Sequence, residues 1–224
     1  MIDALAELLP MAFVLALSPL PIMAVILALM APAGLRGGMM LALGRLISLL
    51  VAVALAGVAA EYLAELSGGG AWGAVLQLLL GAGLVIAAFV SWSRRPRDGS
   101  ARLPAWLASM TRATPARAFG LGLLVTVTNP KDVAIAIGAG LTIGATVDDI
   151  PGAFGAAAVF ALLATLTAIA PLVAFVMLGD RAGDVLSAVR DWLTANLRLV
   201  VSVILLLIGV LLISDGLAFF GDDV

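Results

Sequence analysis

The chain has no cysteine and no histidine among its 224 residues. Thiol relays, disulfides, Cys/His metal sites and histidine proton shuttles are therefore excluded. Charge is scarce too: 12% of residues are charged, against about 25% in a soluble domain. Lysine occurs once, as Lys131; the other eleven basic residues are arginines. The first residues, Met1-Ile2-Asp3-Ala4-Leu5-Ala6-Glu7, are acidic rather than basic and do not read as a cleaved signal peptide. No nucleotide-binding motif occurs. Nothing calls for a cofactor, a metal or a nucleic-acid partner.

What is present is apolar. Hydrophobic residues make up 63% of the chain and mean hydropathy is +1.21. Several runs reach the ~20 residues that span a bilayer. The expected fold is an all-α polytopic membrane protein of six spans, near Leu8–Met30, Met39–Ala59, Trp72–Trp92, Phe119–Leu141, Phe154–Met177 and Leu199–Phe220. Turns separate them at Pro32-Ala33-Gly34, Gly68-Gly69-Gly70 and Asp148-Asp149-Ile150-Pro151-Gly152. Trp72, Trp92, Trp106 and Trp192 fall at span ends or in loops, where interfacial aromatics belong.

Basic residues cluster in alternate connections. Arg94, Arg95, Arg97, Arg102, Arg112 and Arg117 lie between spans three and four, Arg36 follows span one, and Arg181, Arg190 and Arg198 follow span five. The other connections hold Glu61, Glu65, Asp148 and Asp149. The termini carry Asp3, Glu7, Asp222 and Asp223. Positive-inside counting puts both termini outside the cytoplasm and the arginine-rich loop within it. Three spans per half then give two inverted repeats, 1–112 and 113–224.

Each repeat opens on a proline-broken span. Ser18-Pro19-Leu20-Pro21 interrupts the first and Asn129-Pro130-Lys131-Asp132 the fourth, with Pro19 and Pro130 separated by 111 residues. A break inside a bilayer frees backbone groups that must line a cavity or find protein partners. Paired breaks in two halves point to a transporter's substrate site. The expected substrate-binding or coupling residues are Ser18, Pro19, Pro21, Arg45, Asn129, Pro130, Lys131 and Asp132, around a polar cavity near the midplane. A charge there costs several kcal/mol, so it needs a partner or a wet cavity. Adjacent helical positions point ~100° apart, so Lys131 and Asp132 are each expected to need a further partner. Arg stays charged, whereas a buried Lys can release a proton. Arg45 either snorkels to headgroups or faces the cavity, with Asp132 as counter-ion.

Gln77, Thr165 and Thr167 are expected to bond between helices. Asp215 is expected to reach water near the outer end of span six. Gly81/Gly83, Gly120/Gly122 and Gly140-x-x-x-Gly144 are expected to mark close internal helix contacts. Two amphipathic segments, with Leu103, Trp106, Leu107 and Met110 on one and Val185 to Leu197 on the other, either lie flat on the membrane or pack beneath the bundle.

The inverted six-span pattern and its motifs resemble a known group. Ala16-Leu17-Ser18-Pro19-Leu20-Pro21-Ile22, Pro32-Ala33-Gly34-Leu35-Arg36-Gly37-Gly38 and Thr128-Asn129-Pro130-Lys131-Asp132 resemble the GAP/Sap group within the LysE superfamily of exporters. Those are the peptidoglycolipid- and sulfolipid-addressing proteins of actinobacteria. The resemblance implies a plasma-membrane protein that exports or flips an envelope lipid or similar anionic amphiphile. Its implied partners are the bilayer, the amphiphile, and a second copy or an envelope lipid export system. The membrane cysteines of the superfamily's reductant carriers and the Glu-x-Gly-Asp motif of its cation exchangers are absent. Export of a small metabolite such as an amino acid, and a non-transporting accessory role in lipid export, stay open beside it. No catalytic constellation is evident.

Overall fold

A computed structural model describes residues 2–67, 71–94, 107, 109–147 and 149–221. Among the described residues the regular structure is helical, with eight α-helices. These are α1 (Ile2–Ala16), α2 (Pro19–Leu29), α3 (Gly34–Ser67), α4 (Ala71–Ser93), α5 (Pro115–Val127), α6 (Pro130–Thr146), α7 (Ile150–Leu178) and α8 (Ala182–Gly221). A short 3-10 turn, Ser109–Arg112, precedes α5. The Gly68–Gly70 turn, Asp148, the acidic C-terminus and the segment 95–106 lie outside the described residues, as do the side chains of Gln77, Asp215 and Trp72.

Helix starts follow from local chemistry. Pro19, Pro115 and Pro130 each open a helix at the first position, where the missing N–H would have no partner anyway. Thr114 caps α5 by accepting the Arg117 N–H at 3.3 Å, and Asp149 caps α7 by accepting the Gly152 N–H at 2.7 Å. Gly34 (φ 52°) starts α3 and Gly179 (φ 54°) ends α7 in conformations that favour glycine.

Three helices have stretches long and apolar enough to cross a membrane: Gly34–Ala59, Ile150–Leu178 and Ala182–Leu211. Counting each bent pair as one span raises the number to five. Leu5–Ala16 with Pro19–Leu29 bends by 52°, and Pro115–Val127 with Lys131–Gly144 bends by 74°. α4 adds a shorter apolar stretch, Gly81–Ser93. The expected start of a sixth span at Leu199 is corrected. No proline interrupts Ala182–Gly221, and the amphipathic segment Val185 to Leu197, expected either to lie flat or to pack beneath the bundle, is the first part of one 40-residue helix. Leu186 and Leu193 are buried while Val185, Val189 and Trp192 are exposed, and the fully buried Leu107 and Met110 likewise turn inward rather than to lipid.

The chain forms two compact units. The first comprises Met1–Ala60 and Arg102–Ala195; the second comprises Glu61–Ala101 and Asn196–Val224. In the first unit α1 packs on α6 and α7, and α2 packs on α5 and α7. α2 is enclosed on all sides: nine of its 11 residues are buried, the signature of a helix at the centre of a bundle. Ala156, Ala157, Ala161, Ala164 and Ala168 give α7 a small-residue face that allows close approach. Its other face exposes Leu162, Leu166, Val173 and Val176, as lipid contact requires.

Two crossings fix α3. At Gly44 an added Cβ would overlap the Phe119 carbonyl, and at Gly122 the Leu41 carbonyl, so only glycine lets α3 and α5 touch here. Farther along, Gly140 of α6 lies against Val53, Ala56 and Gly57. α3 therefore passes beside both halves of the second broken helix, with Arg45 between the two contacts.

Candidate functional site

The last four carbonyls of a helix lack intrahelical partners, and buried in a bilayer they must find others. At the first break those carbonyls are Phe13, Val14, Leu15 and Ala16. The Leu17 N–H reaches Phe13 O at 3.0 Å, and the Ser18 N–H reaches Leu15 O at 3.1 Å. The rest is done by side chains from three other helices. Lys131 Nζ of α6 donates to Val14 O at 3.4 Å, Arg45 Nη2 of α3 to Leu15 O at 3.5 Å, and Thr167 Oγ1 of α7 to Ala16 O.

The two cations share one anion. Arg45 Nη1 lies 2.8 Å from Asp132 Oδ2, and Lys131 Nζ lies 3.1 Å from Asp132 Oδ1. Asn129 Nδ2 also donates to Asp132 Oδ1, at 2.9 Å. Arg45 and Asp132 are fully buried and Lys131 is 5% exposed. Arg45 is the one buried arginine among those described.

Asp132 and Arg45 meet helix poles of opposite sign, whereas Lys131 meets one of each: the C-terminal end of α1 and the start of its own α6. Asp132 is in the first turn of α6, where the macrodipole is positive; Arg45 and Lys131 meet the negative C-terminal end of α1. The cluster still carries two formal cations to one anion, so one positive charge has only carbonyl dipoles against it among the described residues.

Lys131 and Asp132 pair with each other despite their angular separation, and each also has the further partner expected of it: Val14 O for Lys131 and Arg45 for Asp132. The four-carbon lysine stem reaches back across the helix start, where no preceding turn stands in the way. Of the two readings of Arg45, the structure shows the one with Asp132 as counter-ion rather than snorkelling; Asp132 and the Leu15 carbonyl hold it inside. One expectation is corrected: Thr165 bonds within its own helix, to Ala161 O at 2.7 Å, while Thr167 bonds between helices. The side chains of Arg45, Lys131 and Asp132 are buried and paired with one another.

Pro19 and Pro21 are buried in the first turns of α2, and Ser18 precedes them at its N-cap with no capping bond from its side chain. Ser18 Oγ, Arg45 Nε and Thr126 Oγ1 are buried without hydrogen-bond partners. A buried unsatisfied polar atom costs about 1–3 kcal/mol, and one of the three, Arg45 Nε, belongs to the charged cluster itself. Motif and spacing do not single out Thr126 or Ser48, whose Oγ donates to Leu123 O at 2.9 Å. Both interrupt apolar runs, and that is the signal that could have found them.

No curated protein and no solved structure matches the chain. A family model described as Sap, sulfolipid-1-addressing protein, matches residues 8–218, nearly the whole length. The chain belongs to the sulfolipid-1-addressing protein (Sap) family.

Proposed function

We propose that this protein exports or flips an anionic envelope lipid, or a similar amphiphile, across the plasma membrane, with the Arg45–Asp132–Lys131 cluster as the site that takes the anionic group. One observation carries the reading: a buried cluster with a surplus cation stands where a broken helix ends. A sulfate, phosphate or carboxylate could replace the Val14 and Leu15 carbonyls as partner of Lys131 and Arg45, and supply charge-assisted hydrogen bonds that a carbonyl cannot match. Asn129, bonded to Asp132, and Ser18, at the first break, offer further polar atoms. Losing those cations would release the end of α1, so ligand binding and movement of the first break would be linked.

The architecture belongs to the same proposal. With α4 as a span, the helices make six, arranged as inverted repeats 1–112 and 113–224 of the LysE type, with both termini outside. The packing of α1 on α6 and α2 on α5 supports it, since each half of one broken helix meets the opposite half of the other. Cysteines introduced at Ser100 and Ser67 should label from the inner and outer side respectively; the reverse pattern refutes the orientation. Transport runs without an ATP site in this chain, on an ion or substrate gradient or with a partner export system, and involves no catalysis.

The deciding experiment is reconstitution in liposomes with a fluorescent anionic lipid. Wild-type protein should accelerate its movement between leaflets. Lys131→Met should return the rate to that of protein-free vesicles while eluting as a monodisperse folded species, and Lys131→Arg should be impaired, since its planar head fits the site differently. Normal transport by Lys131→Met removes the site assignment. Failure of the wild type to transport favours the accessory role.

A further inference from the structure

The second unit holds a feature unrelated to the charged cluster. Between α4 and α8 runs a groove of about 230 Å³, lined by Ala88, Phe89, Trp92, Ser202, Val203 and Leu206. Its walls are apolar. The hydroxyl of Ser202 is already turned away, donating to the Arg198 carbonyl at 2.6 Å. Toward one end the helices close on each other: a Cβ on Gly81 or on Gly209 would fall 2.8 Å from the other's carbonyl oxygen. Glycine brings the backbones together there, and the exposed Phe89 and Trp92 line the groove below.

The other end is cationic. Leu206, Ser202 and Arg198 follow one another at four-residue spacing down a single face of α8, a run of ~12 Å. Arg198 Nη1 donates to the Arg94 carbonyl at 2.6 Å, and Ser91 Oγ donates to the Arg198 carbonyl at 3.4 Å. The end of α4 is thus tied to α8 at the mouth of the groove, with Arg94 and Arg198 both exposed. Arg95 and Arg97 follow in the sequence.

We propose that this groove binds an anionic phospholipid of the bilayer. One acyl chain lies along Phe89, Trp92, Val203 and Leu206, and the headgroup phosphate is held by Arg198 and Arg94. An arginine steadied by a carbonyl offers its fork of donors to a phosphate. A free phosphate could not use the apolar walls. A zwitterionic lipid fills the walls but gains less from the arginines. This lipid is a resident of the fold rather than the cargo proposed above, and the site stands or fails independently of that reading.

Trp92 reports on the site. Replacing Trp72, Trp106 and Trp192 by Phe leaves it as the sole tryptophan. Protein in vesicles is then titrated with phosphatidylglycerol or phosphatidylcholine carrying brominated chains, which quench a tryptophan they touch. The anionic lipid should bind with an association constant about fivefold higher for each participating arginine, the effect expected of a basic side chain at an anionic surface. The preference should shrink as salt is added. Arg94→Gln with Arg198→Gln should bring the two lipids to parity. Equal quenching by both lipids in the parent protein overturns the proposal, because the groove then holds lipid without selection. A preference that survives in the double variant overturns it as well.

Discussion

At the first break Ser18 precedes Pro19 and the chain bends by 52°; at the second Asn129 precedes Pro130 and it bends by 74°. The local chemistry is alike: a small polar residue in extended conformation, then a proline opening the next helix. The ways the freed groups are satisfied differ. The first break brings no charge, and its carbonyls depend on Lys131, Arg45 and Thr167 from three other helices. The second break satisfies more of its groups locally. Thr128 Oγ1 and the Thr128 N–H both return to Leu124 O, at 2.7 and 2.8 Å, and Asn129 reaches its own helix at Asp132. One break is the acceptor and the other the donor. Changes at the second should therefore be felt at the first more than the reverse.

The largest effect is expected at Asp132. Asp132→Ala leaves Arg45 and Lys131 buried without their anion, and breaking such a pair costs about 3–5 kcal/mol. Thermal unfolding in detergent should show a large loss of stability. Asp132→Ala combined with Arg45→Met should recover part of it, because the uncompensated charge is gone. If the double variant is no more stable than Asp132→Ala, the pair is not what holds this region.

The crossing that positions Arg45 comes next. Gly122→Ala forces a methyl into the Leu41 carbonyl and should destabilise by about 1–3 kcal/mol, the usual range for overpacking. Gly83→Ala has open space around its Cβ and should be nearly silent in the same melting assay. Equal effects at the two glycines would show that α3 and α5 can separate at little cost.

The smallest effects test the comparison itself. Thr167→Val removes the donor to Ala16 O, and Ser48→Ala removes the donor to Leu123 O. Hydrogen bonds between membrane helices average about 0.6 kcal/mol and reach about 1.7. Thr167→Val belongs at the upper end, since Ala16 O closes a broken helix. Ser48→Ala belongs at the lower end, since Leu123 lies inside α5, where its carbonyl is within reach of the next turn. The reverse order in thermal unfolding would contradict the dependence of the first break on its neighbours.

Much of this was legible in the residues. Apolar runs separated by Gly/Pro turns place most helices, because a bilayer demands uninterrupted apolar length. Pro19 and Pro130 announce the breaks, because proline lacks the N–H that a helix interior needs. Lys131 and Asp132 stand out as charges in an apolar run. The start of α8 was not legible, because amphipathic spacing from Val185 to Leu197 describes a surface helix and the beginning of a long one equally well.

The sequence by itself determined the all-helical apolar character, the positions of the two breaks, and which residues carry charge inside them. Only the tertiary structure decided where that charge goes. The pairing of Arg45 with Asp132 spans 87 positions, and that of Lys131 with Val14 O spans 117. No local rule contains such distances. They arise because Gly44 and Gly122 let α3 and α5 come into contact, and because the open end of α1 leaves carbonyls that a buried cation can satisfy.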